Sequence, residues 1–201
     1  LLLQDVQVGD GGTNPTYLVL DATAIEFPRQ YNAATKEVNY NSTDNKVGLK
    51  YYPGASDTII HRNSVISSRS RYFWGLRLHL VTTLHGLPVA FALTGAKADE
   101  RTVLTDLIAT TPALAGGGRT LIADKNYYDR EFESTLAATG FTLLRKARTG
   151  ENPRPGAQFF KPLRQTIESV FDTLKGQLSL ERHGGRTQAG VIVRVLQRLL
   201  A

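Results

Sequence analysis

The chain has 201 residues, 41% of them hydrophobic, with no cysteine, no methionine and a formal net charge of +6. That length suits one well-buried domain and is short for two, and the composition is globular rather than disordered. Zero cysteine excludes disulfides, thiolate metal sites and cysteine nucleophiles and fits a reducing cytoplasm; no apolar run approaches the ~20 residues of a membrane span, and the start resembles no signal peptide. Because it begins Leu1-Leu2-Leu3, the sequence reads as a fragment lacking an N-terminal part.

Tyr17 to Ile25 is aliphatic and β-branched on both faces and follows the turn-rich GDGGTNPT, which predicts a buried strand. Residues 26 to about 70 are polar and weakly patterned, with Pro28, Pro53 and Gly54, and read as a long connection or an inserted strand pair. Tyr72 to Thr83 and Leu87 to Thr94 flank the turn His85-Gly86 and predict a hairpin. Asp99 or Glu100 opens a helix through Thr110, with Val103, Leu104, Leu107 and Ile108 at helical spacing. After the loop Gly116 to Gly118 comes a strand, Thr120 to Asp124. A helix from Arg130 to Thr139 closes at Gly140, and Phe141 to Arg145 is a further strand. The basic, turn-rich segment TGENPRPGAQ then leads to two helices, near 163–180 and 187–200, separated by Gly184-Gly185. A hairpin followed by alternating helix and strand predicts an α/β fold, a mixed sheet with helices on its faces, formed by residues 1–201 as a single domain.

Charge is unevenly placed. Residues 1–144 hold 13 Lys/Arg against 14 Asp/Glu, whereas residues 145–201 hold 11 against 4. The whole positive excess is C-terminal, which suits either a polyanionic partner such as nucleic acid or a solvated basic surface.

Three acidic residues stand out. Asp21 interrupts the apolar run YLVLDATAI, where an ionised carboxylate is costly unless paired or metal-bound. Asp124 closes TLIAD at the carboxyl end of a strand, where open sheets bind ligands. Glu168 lies on RQTIESVFDTLK, sharing a helix face with Arg164 and Lys175, while Ile167, Phe171, Leu174 and Leu178 form a neighbouring apolar stripe. Carboxylates so placed suit hard divalent cations acting on phosphodiesters. Taken alone, Glu168 reads as an ordinary helix pair with Arg164. His79 reads as a structural or sheet-surface histidine, and the four histidines have no zinc spacing. Trp74 reads as core. Tyr51 and Tyr52, beside Lys46, Lys50 and Arg62, suit packing better than base stacking.

These segments resemble the DDE transposases of bacterial insertion sequences. VLDATAI is similar to that family's first-Asp strand, YFWGLRLHLVTTLHGLPVAFALTGAKADE to its hairpin, LIADKNYYD to its second-Asp motif, and RQTIESVFDTLK to the part of the Tyr-Arg-Glu-Lys signature that carries the Glu. The family's signature Tyr falls at Lys161, its His-Asp pair after the hairpin at Ala98-Asp99, and the Gly of its second motif at Asn126.

The resemblance implies an RNase H-like fold in which Asp21, Asp124 and Glu168 are the catalytic residues and ligands of two Mg²⁺ or Mn²⁺ ions. Arg164, Lys175 and Lys125 would hold DNA phosphates. The implied partner is double-stranded DNA at element ends and target, with room for a homodimer in the active complex and no membrane, in the cytoplasm at the nucleoid. Water attack would nick the DNA and the freed 3′-hydroxyl would attack a target strand. The alternatives are a stand-alone RNase H-like nuclease and an inactive relic that only binds DNA.

Overall fold

The computed structural model describes residues 17–26, 30–32, 37–39, 48–50, 59–61, 66–68, 71–73, 75–95, 98–115, 118–154, 156–185 and 187–201. Lys46, Tyr51, Tyr52, Arg62, Trp74, Gly116 and Gly117 lie outside them, as does the Lys50 side chain. The described chain forms two compact units: the first includes the start of the opening strand to Ala22, His79–Phe91 and Asp99–Phe171, and the second includes Ala92–Ala98 and Asp172–Ala201.

The first strand, β1, is Tyr17–Glu26. Three short antiparallel pairs follow it: β2 (Gln30–Asn32) with β3 (Glu37–Asn39), β4 (Gly48–Lys50) with β5 (Ile59–His61), and β6 (Ile66–Ser68) with β7 (Arg71–Phe73). The hairpin is β8 (Gly75–Thr83) and β9 (Pro88–Gly95), and β10 (Arg119–Ala123) and β11 (Phe141–Arg145) complete a five-stranded sheet in the order β11-β10-β1-β8-β9. β1, β10 and β11 run parallel, while the short turn between β8 and β9 makes that pair antiparallel. The sheet is therefore mixed, and numbering only its own five strands gives 3-2-1-4-5, an RNase H-like order. Parallel strands need helical crossovers, and α1 (Glu100–Thr110) and α2 (Arg130–Ala138) supply them.

Local chemistry sets the boundaries. Asp99 caps α1, accepting from the backbone of Arg101 and Thr102, and its carboxyl sits at about 2, chiefly through the Arg101 hydrogen bond. Asp129 caps α2 through the Phe132 amide, and Gly140 adopts the left-handed conformation after it (φ 82°), as a helix-ending residue should. In the first unit Leu18, Val19, Leu80, Leu104, Leu107, Leu121, Ile122 and Ile167 are buried; in the second, Leu76, Leu78, Leu93, Val191 and Val195 are. His79 is buried too.

The last helices are α3 (Phe160–Gly176) and α4 (Gln188–Leu199). α3 begins before and ends before the span read from sequence. Pro162 falls in its first turn, where a missing N–H removes no intrahelical bond. The helix ends at Gly176, the amides of Gln177 and Leu178 both donating to the Thr173 carbonyl, which leaves Leu178 outside it, and Ser179 beyond is in the left-handed region at φ 51°. Two contacts fix α3 against the hairpin turn: Thr166 Oγ1 donates to the Leu84 carbonyl at 3.3 Å, and Val170 lies over Gly86. Gly86 has φ 81°, and a Cβ there would meet Val170 Cγ2 at 3.1 Å. Gly86→Ala is expected to lose about 1–2 kcal/mol from backbone strain, measurable by chemical denaturation.

Candidate active site

Three elements of the first unit converge. β1 and β10 pair in parallel through Tyr17↔Thr120, Leu18↔Leu121 and Val19↔Ile122. Two residues further along that register, Asp21 stands level with Asp124, on strands about 4.8 Å apart. Asp124 immediately follows β10 and caps a short 3-10 turn, Lys125–Tyr127, its Oδ1 accepting from the Lys125 amide at 2.6 Å. Asp21 Oδ1 accepts from the Ala22 amide at 2.8 Å. α3 supplies the third wall.

Arg164 of α3 holds the three carboxylates together. Its guanidinium donates to Asp21 Oδ2, lies 3.3 Å from Asp124 Oδ1 and 3.7 Å from Glu168 Oε1. The Arg164 side chain is 16% exposed, Asp21 22%, Asp124 32% and Glu168 58%, so burial falls from the strands towards the helix surface. Arg164 Nε is buried and meets no hydrogen-bond partner among the described residues.

The Asp21 carboxyl titrates above its ordinary range. Loss of water around it is the largest cause, and the Asp124 charge adds to it; Arg164 and the Ala22 amide pull the other way without prevailing. A carboxylate that remains under-compensated beside a guanidinium can take more positive charge.

An all-carboxylate donor set suits a hard divalent cation. Among the described residues, no three His, Asp or Glu side chains stand close enough to share one ion as placed. The chemistry of the site fits a divalent metal.

Residues 13–201 match the family described as Transposase DDE domain. The chain belongs to that family. Among solved structures, the piggyBac transposase synaptic complex with hairpin DNA aligns at 10% identity and TM-score 0.42 over 71% of this chain and 25% of that one. A Mos1 transposase paired-end complex with left transposon end aligns at 12% and 0.39 over 84% and 56%. The simian T-cell lymphotropic virus intasome in complex with PP2A regulatory subunit B56 gamma aligns at 10% and 0.38 over 88% and 52%. The DDE domain chain thus spans from a quarter to just over half the length of these proteins. Among curated proteins no sequence match was found.

Lys125 is exposed on the turn after Asp124. Lys175, in the second unit, faces Glu181 at 3.7 Å. No helix among the described residues is long and apolar enough to cross a membrane. The bridging of all three acids by Arg164 was invisible in sequence beyond its i,i+4 partner Glu168, since Asp21 is 143 residues away.

Proposed function

We propose that this DDE transposase domain cuts transposon-end DNA in a divalent-metal-dependent reaction and joins the freed 3′-hydroxyl to target DNA. The observation that carries the proposal is the convergence of Asp21, Asp124 and Glu168 on one guanidinium, a position built for positive charge. Asp21, Asp124 and Glu168 would hold two Mg²⁺ or Mn²⁺ ions, with residues 1–201 working as one catalytic domain. When bound, the ions supply Lewis-acid activation of the attacking oxygen and charge neutralisation at the leaving oxygen of an in-line displacement.

The chain's own groups do the positioning. Parallel pairing of β1 with β10 keeps Asp21 and Asp124 side by side. The hairpin turn holds α3 so that Arg164 and Glu168 face them. Lys125, one residue beyond Asp124 and exposed, would meet a phosphate oxygen of the bound strand, and Arg164 would turn to the same strand once the acids take metal. In the first step water adds to phosphorus, the P–O3′ bond breaks, and a 3′-hydroxyl and a 5′-phosphate result. In the second that hydroxyl adds to a target phosphorus and releases the target's own 3′ oxygen, so the number of phosphodiesters is conserved.

The test is incubation with duplex DNA carrying the element's ends and Mg²⁺, beside Asp124→Ala. Wild type is expected to nick and join while the variant does neither. Equal behaviour of the two proteins would remove the enzymatic reading and leave a DNA-binding relic. Nicking without joining would leave a nuclease.

A further inference from the structure

A groove of about 1060 Å³ opens beside the Lys125 turn, walled by the start of α2, the end of β11 and the loop that follows it. Six cations line it, Lys125, Arg130, Arg145, Lys146, Arg148 and Arg154, against two carboxylates, Glu133 and Glu151. Both carboxylates are fully engaged inside its wall. The Arg145 side chain, completely buried, donates to Glu133 at 2.8 Å and to both oxygens of Glu151 at 2.7 Å. Arg154 bridges the same two acids at 2.9 and 3.0 Å. The Arg145 hydrogen bonds hold the Glu151 carboxyl far below the usual range, so it stays ionised and committed to its partners.

Four cations are left over. Lys125, Arg130, Lys146 and Arg148 are exposed, and no carboxylate among the described residues pairs with them. Glu151 also accepts from the Arg148 amide at 2.9 Å, which pins the loop that carries Lys146 and Arg148. The Arg148 guanidinium rests on the Tyr128 ring 4.7 Å from its centroid, and so does that of Arg145. Tyr128 thus supports cations and is not an open platform for a base. A buried Arg with two glutamates is a costly way to fix a loop. It is warranted where the loop must hold like charges together for a ligand.

From this arrangement we infer that the groove is a binding site for the phosphodiester backbone of a DNA strand, contacted by Lys125, Arg130, Lys146 and Arg148. The inference rests on the proposed reaction for its choice of ligand, because Lys125, whose amide is bonded to Asp124, also lines the groove, so the groove opens one residue from that carboxylate. Charge without an open ring favours backbone contact over base readout. The volume exceeds what a single phosphate fills and matches the upper end of ligand clefts, roughly 300–1,000 Å³.

Binding of a synthetic duplex to the 201-residue chain, followed by fluorescence anisotropy across a salt series, tests it. Lys146→Ala/Arg148→Ala is expected to bind about 10²-fold more weakly at low salt, from two lost charge-assisted contacts. Its log–log salt slope should fall by about 1.8, at 0.9 per phosphate. Arg182→Ala/Arg194→Ala, removing the same charge from exposed positions elsewhere, should leave the slope within error of wild type. Melting curves report whether each variant is folded. Equal losses in the two double variants, or displacement of the duplex by polyglutamate of equal charge, would overturn the site in favour of diffuse attraction or an acidic protein ligand. Unchanged binding by Lys146→Ala/Arg148→Ala in a wild type that still cuts DNA would sink the groove alone. Absence of cutting by wild type with the groove result intact would sink the proposed reaction alone, and Asp124→Ala should keep its DNA affinity.

Discussion

Asp21→Asn is expected to abolish metal-dependent cleavage while raising the stability of the folded chain near neutral pH. The activity loss follows from removing an anionic oxygen of the donor set. Metal stabilisation of the displacement is worth several kcal/mol, and at 1.4 kcal/mol per decade the rate should drop by about 10³-fold or more. The stability gain follows from the raised Asp21 pKa. A carboxyl whose folded pKa lies above its unfolded value is held more favourably as the neutral acid, so its ionised form destabilises the native state at all higher pH. Asparagine is the permanently neutral isostere and still offers Arg164 an oxygen. Wild type should therefore gain stability as pH falls through the Asp21 value, and Asp21→Asn should lack that increment. Below about pH 4 the sign reverses for both proteins. Asp99, at about 2, and Glu151, lower still, contribute stability only while ionised, and protonation removes it. Thermal melts between neutral and acid pH, with cleavage assays on the same preparations, separate the two effects. A variant that is inactive but no more stable than wild type at neutral pH would show that Arg164 fully compensates Asp21.

How much of this was legible in sequence depends on whether the signal was local. The run YLVLDATAI specifies a strand buried on both faces, and its one carboxylate marks itself. The α1 cap at Asp99, the Gly86 turn and Gly140 after α2 are short-range chemistry and fall where sequence places them. The ends of α3 did not, because Pro162 reads as a breaker unless its place in the first turn is known, and Leu178 continues the apolar period past Gly176, where the helix ends. The sequence of elements made a mixed sheet legible, but the strand order β11-β10-β1-β8-β9 was not, since no local signal marks which strands pair. The basic C-terminal stretch was legible as charge but not as architecture. Arg145 and Arg154 compensate acids internally, while Lys146 and Arg148 of the same loop present charge with no carboxylate partner among the described residues. Periodicity cannot show this, since Glu133 sits on α2 and reaches Arg145 across 12 positions. The same limit hid the central place of Arg164.

Arg164→Ala should show that a guanidinium and a divalent cation serve the same place. In wild type without metal, one cation with 16% of its side chain exposed faces three carboxylates. Its removal leaves Asp21 and Asp124 level with each other and mutually repulsive, which is the damaging way to break a buried pair. Such breaks cost 3–5 kcal/mol when fully buried, and the partial exposure of Asp124 and Glu168 reduces the expected loss to about 2–3 kcal/mol. Millimolar Mg²⁺ should then stabilise the variant more than wild type, because the ion meets vacated acids rather than displacing an arginine. At a concentration 100 times the dissociation constant, binding to the folded state alone returns about 2.7 kcal/mol, enough to restore the loss. Arg164→Lys should fall between the two, since a point charge on a flexible stem cannot reach three separated carboxylates as a planar fork does. The readout is melting temperature against Mg²⁺ for the three proteins, with no DNA present. Equal shifts in all three would mean that metal and guanidinium occupy different places, and the acids would have to reach an ion with Arg164 still bound. A larger shift in Arg164→Ala would instead make metal entry and arginine release one event, leaving Arg164 free to meet phosphate at the moment the acids no longer need it.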